Sequence, residues 1–263
     1  MYDFEFAKPA TIAEAAAALS GEGAQALGGG QTLLPTMKQR LAAPEVLVSL
    51  SGIPEMRGVC VSDAGELCIG GGTTHAEVAR EAAARFPALA DLAGRIGDPA
   101  VRNRGTIGGS LANNDPSACY PAAALGADAR VRTNTREIAA GDFFDGMFTT
   151  ALQEGEIITE VRFPLPQVAA YGKFAQPASR FALVGVFVAR FEDGARVAVT
   201  GASSDGVFRW AEAEAALGEA FEARALDGLA PPEGDMISDI HGSGDYRAHL
   251  VKVMTGRAVA AAA

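Results

Sequence analysis

Twice in its N-terminal third the chain runs from a short apolar stretch through three consecutive glycines towards a helix. The first case is "AQALGGGQTLLP" (24–35) and the second is "LCIGGGTTHAEV" (67–78). Glycine loses more backbone entropy on folding than any other residue. A run of three is kept where the chain turns tightly or where something must approach the backbone closely. Strand, loop and helix in that order form the repeating unit of an α/β layer. The feature therefore commits the N-terminal half to stacked strand–helix units, and for the first run, residues 28–30, it leaves two readings: a turn, or a cradle for a ligand.

The surrounding pattern agrees. "YDFEF" alternates as a strand. Thr11 and Glu14 stand at capping-box spacing ahead of the helix "IAEAAAAL" (12–19). "AQAL" reads as a strand, "LLPTMKQRL" as a helix with Pro35 in its first turn, and "EVLVSL" as a branched strand. A second unit begins near Leu67, and "TTHAEVAREAAARF" (73–86) is predicted helical with Thr73 or Thr74 as N-cap, ending at Pro87. Residues 94–125 are rich in Gly, Pro and Asn and read as a long loop, which inside an otherwise periodic chain is either functional or a misread of regular structure. "ARVRTNTREIAAGDFF" suggests a hairpin, and "IITEVRFPLP" a strand with Ile157, Thr159, Val161 and Phe163 on one face. A boundary is placed near residue 168. Beyond it, "LVGVFVARF" and "ARVAVTG" flank the turn "EDG". "WAEAEAAL" and "ARALDGL" read as helical. The final helix carries Tyr246, Leu250, Val253 and Val259 at helical spacing, and its terminal alanines (260–263) read as a frayed end.

Neither "LGGGQTLL" nor "GTIGGSL" (105–111) has the G-x-G-x-x-G spacing of a dinucleotide fingerprint or the Gly-Lys-Ser/Thr of a P-loop. Their chemistry still suits a diphosphate. Backbone N–H groups at Gly28, Gly29 and Gly30, the Thr32 hydroxyl and a helix start make one anion-binding edge. Gly108, Gly109 and Ser110 make a second. The alternative is a pair of tight turns. Asn113, Asn114 and Asp115 follow the second loop, and Asp115 fits either a ribose hydrogen bond or a plain turn before Pro116. Arg102 and Arg104 read as a solvated face or a backbone tie, and His75 as a helix-surface or capping residue.

Composition excludes several classes. The formal net charge of −10 would repel a nucleic-acid backbone. No run of 18 apolar residues predicts a membrane span, and no signal-peptide pattern opens the chain, so the cytoplasm is expected. Cys60, Cys68 and Cys119 match no zinc or iron–sulfur spacing and read as free thiols. No metal site and no acid–base catalyst are expected. His241 and His249 suggest neither.

Five segments together carry a family resemblance: "LGGGQTLLPTMKQRL", "IGDPAVRNRGTIGGSLANNDPSACYPAAALGADARV", "GEIITEVRFP", "FAQPASRFALVGV" and "YRAHLVKVMTGRAV". In this order, over essentially the whole chain, they resemble the FAD-binding medium subunit of molybdenum hydroxylases, the family of carbon monoxide dehydrogenase and xanthine dehydrogenase. The resemblance implies an α+β chain: a two-subdomain FAD-binding fold of the vanillyl-alcohol oxidase type (1–58 and 59–167), then a C-terminal α+β domain (168–263). It implies that Leu27, Gly28, Gly29, Gly30, Gln31, Thr32, Leu33 and Leu34 wrap the FAD diphosphate, met from the other side by Thr106, Gly108, Gly109 and Ser110. Asn113, Asp115, Ile96, Cys119, Ile158 and Lys173 are the remaining implied FAD contacts, and Phe181 falls near the isoalloxazine. Two places depart from the family pattern. Cys119 stands where an acid is common, and "SRFA" replaces an acidic "D-x-A".

The implied role is electron transfer. A large partner subunit would hold the molybdenum cofactor and a small one the 2Fe-2S clusters, in a dimer of heterotrimers. Electrons would leave through FAD in this chain to an external acceptor. The shortage of cysteines here fits that division. Two rivals remain at this point. A stand-alone reductase of the UDP-N-acetylmuramate enolpyruvate reductase type shares the first loop but needs a Ser/Glu pair not found here. A flavin-free scaffold would have no use for the glycine loops.

Overall fold

The computed structural model of the protein describes residues 1–232 and 236–262. The first layer is a three-stranded parallel sheet. β1 (Glu5–Ala7) leads through α1 (Ile12–Leu19) to β2 (Ala24–Leu27), then through α2 (Leu33–Lys38) to β3 (Val46–Ser49). β3 lies between the other two strands. Thr11 caps α1 by accepting the Glu14 N–H at 3.1 Å, while the Glu14 carboxylate takes the Ala10 N–H at 2.8 Å. These bonds satisfy amides that a helix start leaves open. Ala15 and Leu19 of α1 pack against Val48, Ile53 and Met56, and Ile157 from further along the chain closes this small core.

A five-stranded sheet forms the second layer: β4 (Val59–Val61), β5 (Leu67–Gly70), β6 (Arg130–Thr133), β7 (Glu137–Ala139) and β8 (Ile158–Phe163), in the order β4-β5-β8-β6-β7. Its pairings are antiparallel. Ile157, Thr159, Val161 and Phe163 are all buried, but so is Ile158. Six helices accompany the sheet: α3 (His75–Glu81), α4 (Pro87–Gly94), α5 (Pro99–Arg102), α6 (Ile107–Asn113), α7 (Tyr120–Gly126) and α8 (Ala140–Phe143). Thr74 and Glu77 form a full capping box on α3. Two expectations change here. The 73–86 helix stops at Glu81, and Pro87, read as a breaker, is the first residue of α4, where its missing N–H costs nothing. The supposed loop 94–125 is mostly short helices, and Asn114 in the left-handed conformation (φ 42°) ends α6.

The third layer is antiparallel, β12-β11-β10-β9: β9 (Val168–Ala175), β10 (Ala182–Phe191), β11 (Gly194–Ser203) and β12 (Gly206–Arg209). α9 (Ala211–Glu219) and α10 (Gly244–Ala262) accompany it. The "ARALDGL" segment holds only a short 3-10 turn, Ala223–Leu226. Leu250, Val251, Met254, Ala258 and Val259 form the buried stripe of α10, whereas Tyr246 is exposed and Val253 half-buried. β10 is buried on both faces. Val184, Val186 and Val188 join the core under α10, while Phe187 and Ala189 join the core of the second layer. Phe187 meets Phe86 edge-on at 6.0 Å, and Phe86 meets Phe163 at 6.2 Å. Each such pair adds about 0.5–1.5 kcal/mol beyond its burial. Arg247 on α10, 3% exposed, donates to the Leu183 and Gly201 carbonyls and pairs with Asp239, which locks α10 to the sheet.

Candidate functional site: a cleft between the layers

A cleft of about 660 Å³ opens where the three layers meet, within the range of small-molecule and cofactor sites. Gly28, Gly29, Gly30, Gln31, Thr32 and Leu33 form one wall. Thr106, Gly108, Gly109, Ser110 and Asn113 face them from α6. Asp115, Cys119 and Ile158 contribute from the second layer. Ile96, Lys173 and Phe181 complete the lining. Of the expected residues, Leu34 is outside the lining. Its side chain packs beneath Gly30, where an added Cβ would stand 2.8 Å from Leu34 Cδ1.

The first loop is built for close contact. A Cβ on Gly29 would lie 2.0 Å from the Arg104 carbonyl oxygen, so the loop presses on the backbone just before α6. Gly30 has φ +71°, which a side chain resists. Among the described residues, the backbone N–H groups of residues 28–33 find no acceptor in the chain. The Thr32 hydroxyl makes no capping bond to α2. Unpaired amides that line a cleft are donors an anion can use.

The second loop works differently from expectation. Every amide at the start of α6 is already engaged. Ile107 N–H donates to Thr73 O, Gly108 N–H to Gly71 O at 2.9 Å, Gly109 N–H to Thr106 Oγ1, and Ser110 N–H to Thr106 O. α6 therefore offers shape and its Ser110 and Asn113 side chains in place of free N–H groups. A Cβ on Gly108 would strike the Gly71 carbonyl oxygen at 2.6 Å, whereas one on Gly109, which is exposed, meets only Thr106 Oγ1 at 3.0 Å. Gly109 is bare on the side of the open space.

The far end is held by arginines. Arg102 donates to the Ile96 and Gly97 carbonyls, the backbone-tie alternative of the sequence reading. Arg95 donates to the Tyr171 and Lys173 carbonyls, and Lys173 Nζ returns a bond to the Arg95 carbonyl at 2.9 Å. Lys173 thus fastens β9 to the turn that carries Ile96. The two acids of the lining are occupied. Asp115 accepts the Ser117 N–H at 2.8 Å, a turn bond, and Glu156 receives two bonds from Arg136. Those bonds outweigh burial and hold Glu156 at a pKa of about 2.

Residues missed or misjudged from the sequence also line the cleft, among them Gly71, Gly72, His75 and Glu156. The second glycine run was a usable signal, because it stands strand-to-helix like the first. His75 is no surface residue. It is 5% exposed, its Nδ1 has no partner, and burial, then the Arg102 charge, lower its pKa to about 4. Its ring lies 5.3 Å from that of Tyr120. Cys119 is buried beside Tyr171, whose hydroxyl has no hydrogen-bond partner. Burial, then this neighbour, push the Tyr171 pKa well up.

The arrangement fits a dinucleotide with a diphosphate at its middle. Unpaired amides line one wall, Glu156 is paired with Arg136, and the cleft is long enough to touch all three layers. Comparisons with known proteins agree. Residues 2–166 match the family described as FAD binding domain in molybdopterin dehydrogenase. The carbon monoxide dehydrogenase medium chain of Hydrogenophaga pseudoflava is 33% identical, over 98% of this chain and 96% of its own. The nicotine 6-hydroxylase medium subunit of Paenarthrobacter nicotinovorans is 34% identical, over 97% and 95%. Reconstituted CO dehydrogenase from Oligotropha carboxidovorans superposes with a TM-score of 0.89 at 31% identity, covering 99% of this chain and 98% of that one. These likenesses favour a multi-subunit dehydrogenase over the stand-alone reductase. The chain belongs to the family of FAD-binding domains of molybdopterin dehydrogenases, as a flavoprotein subunit of an oxidoreductase complex.

Proposed function

We propose that the chain holds FAD as the exit station of a molybdenum hydroxylase. It takes electrons from 2Fe-2S clusters in a small partner subunit and delivers them to an external acceptor, while a large partner subunit oxidises substrate at the molybdenum cofactor. The observation that carries this reading is the wall of unpaired amides at residues 28–33, which abuts the bare Gly109 at the start of α6 in the cleft lining. Bound FAD supplies the step between two-electron and one-electron chemistry, and the protein supplies position and surroundings.

In this reading the 28–33 amides and the Thr32 hydroxyl bind the diphosphate. Ser110, Asn113 and Asp115 take the sugar and ribityl hydroxyls. Ile96, Ile158 and Phe181 flank the ring and exclude water, with Lys173 and Cys119 at its margin. No side chain serves as an acid–base catalyst. The three layers act as two FAD subdomains and a C-terminal domain, divided at 58 and 167. The complex is a cytoplasmic dimer of heterotrimers. Among the described residues, no helix is long and apolar enough to cross a membrane.

The test is purification of the native complex with flavin and metal analysis, beside reconstitution of the isolated chain with FAD. One flavin per chain, with molybdenum and iron in the co-purifying subunits, is expected. A chain that stays colourless in both preparations overturns the reading.

A further inference from the structure

The sequence placed Cys60 and Cys68 as unrelated free thiols, but the register of the second sheet makes them direct partners. Cys60 on β4 lies opposite Cys68 on the antiparallel β5. The flanking bonds, Gly70 N–H to Gly58 O and Ser62 N–H to Glu66 O, stand two residues to either side, so the pair occupies a hydrogen-bonded position of the ladder. Residues so placed have Cα atoms about 5.5 Å apart, inside the span a disulfide bridges. Their Cβ atoms start roughly 1–2 Å wider than a relaxed disulfide prefers, so closure draws the edge strand inward and the bond is easily reduced. β4 is a three-residue edge strand paired only to β5, so it is free to make that move.

The two thiols differ in access, so Cys60 meets the small disulfide first. Cys60 is exposed, and Cys68 is 3% exposed. Cys68 is flanked on its other side by Arg162, and Arg162 by Arg130, in one row across the sheet. Glu160 is bonded to Arg162, and Glu66 to Arg130.

We propose that Cys60 and Cys68 form a reversible dithiol–disulfide couple that reacts with low-molecular-weight disulfides. The Cys60 thiolate attacks one sulfur of the small disulfide and releases one thiol. Cys68 then loses its proton and attacks the Cys60 sulfur of the mixed disulfide, releasing the second thiol. Two protein thiols and one small disulfide become one cross-strand disulfide and two small thiols, with two electrons passed to the small molecule. A labile pair of this kind suits a reducing compartment, where disulfides are transient and responsive. Its location adds consequence. β5 runs directly into residues 71 and 72 of the cleft wall, and Gly71 accepts the Gly108 N–H.

The test uses the full chain, reduced and then equilibrated with mixtures of reduced and oxidised glutathione. Free thiols are trapped with a maleimide under denaturing conditions and mapped by mass spectrometry. Cys60 and Cys68 are expected to lose labelling together, with a peptide mass lower by two hydrogens that dithiothreitol restores, while Cys119 stays labelled. Cys68→Ser should accumulate glutathione on Cys60, and Cys60→Ser should leave Cys68 reduced. The proposal is overturned if the unaltered chain keeps glutathione on Cys60 with Cys68 still labelled, if Cys60 links two chains, or if both stay reduced when the oxidised form dominates.

Discussion

Residue by residue, the cleft separates glycines that pack from glycines that bind. Gly29 presses on the Arg104 carbonyl, so Gly29→Val should lower the thermal midpoint as well as remove flavin. Gly109→Val meets only its own helix cap, so it should abolish FAD binding while the thermal midpoint of the apo chain stays within a few degrees. Flavin absorbance and calorimetry on both variants check the contrast, and a Gly109→Val chain that keeps stoichiometric FAD would contradict the assigned wall. His75 gives a pH signature. Its folded pKa is about 4 against an ordinary 6.5, so the unfolded chain binds the extra proton first as pH falls. Stability should therefore decline from near pH 6.5 down to about 4 by roughly 3 kcal/mol at most. His75→Phe should flatten that slope in urea titrations at several pH values. An unchanged slope would remove His75 from the account.

At the scale of elements, the ends of helices were the readable part. The Thr11–Glu14 and Thr74–Glu77 spacings are local chemistry, visible in four consecutive residues. Thr74 and Glu77 form the full box, while at α1 Thr11 caps Glu14 N–H and the Glu14 carboxylate takes the Ala10 N–H, one residue before the cap. The short helices α5, α6 and α7 were hidden for the opposite reason. Segments of four to seven residues rich in Gly, Pro and Asn have little helical tendency of their own, and packing supplies their stability. Ile107 and Leu111 on α6 and Tyr120 on α7 are fully buried in the second core, which holds these turns in place. The attachment of α10 is a testable element-level link. Arg247→Met leaves the Leu183 and Gly201 carbonyls without their charged donor, so it should cost roughly 2–4 kcal/mol. Chemical denaturation measures it, and a loss under about 0.5 kcal/mol would show that the guanidinium is replaceable.

For the whole molecule, the cleft is shared by all three layers, so cofactor binding and folding are linked. At free FAD a hundredfold above its dissociation constant, the folded state should gain about 2.7 kcal/mol. Stripping the flavin should lower the unfolding midpoint accordingly, which differential scanning calorimetry of the apo and reconstituted chain reads. A midpoint indifferent to FAD would mean that the cofactor sits on a surface the fold does not depend on. The acidic net charge is offset locally at Glu156, which Arg136 pairs, and the proposed diphosphate wall is lined by amides.

By itself the sequence determined the strand–glycine–helix units, their caps, the buried strand 157–163 and the pair of loops that mark the cleft. Each depends on neighbours within a few residues, where backbone freedom and capping rules act. Only the tertiary structure decided which loop keeps its amides free. That outcome depends on Thr73 and Gly71 reaching Ile107 and Gly108 from more than thirty residues away. A similar distance hid the burial of His75 under Gly105. Leu34 lies only four residues from Gly30, and Cys60 only eight from Cys68, so these were hidden instead by side-chain packing and by a hairpin register that the sequence reading did not assign. Hydrogen bonds and register between distant segments are set by how the layers stack, and no local pattern encodes that.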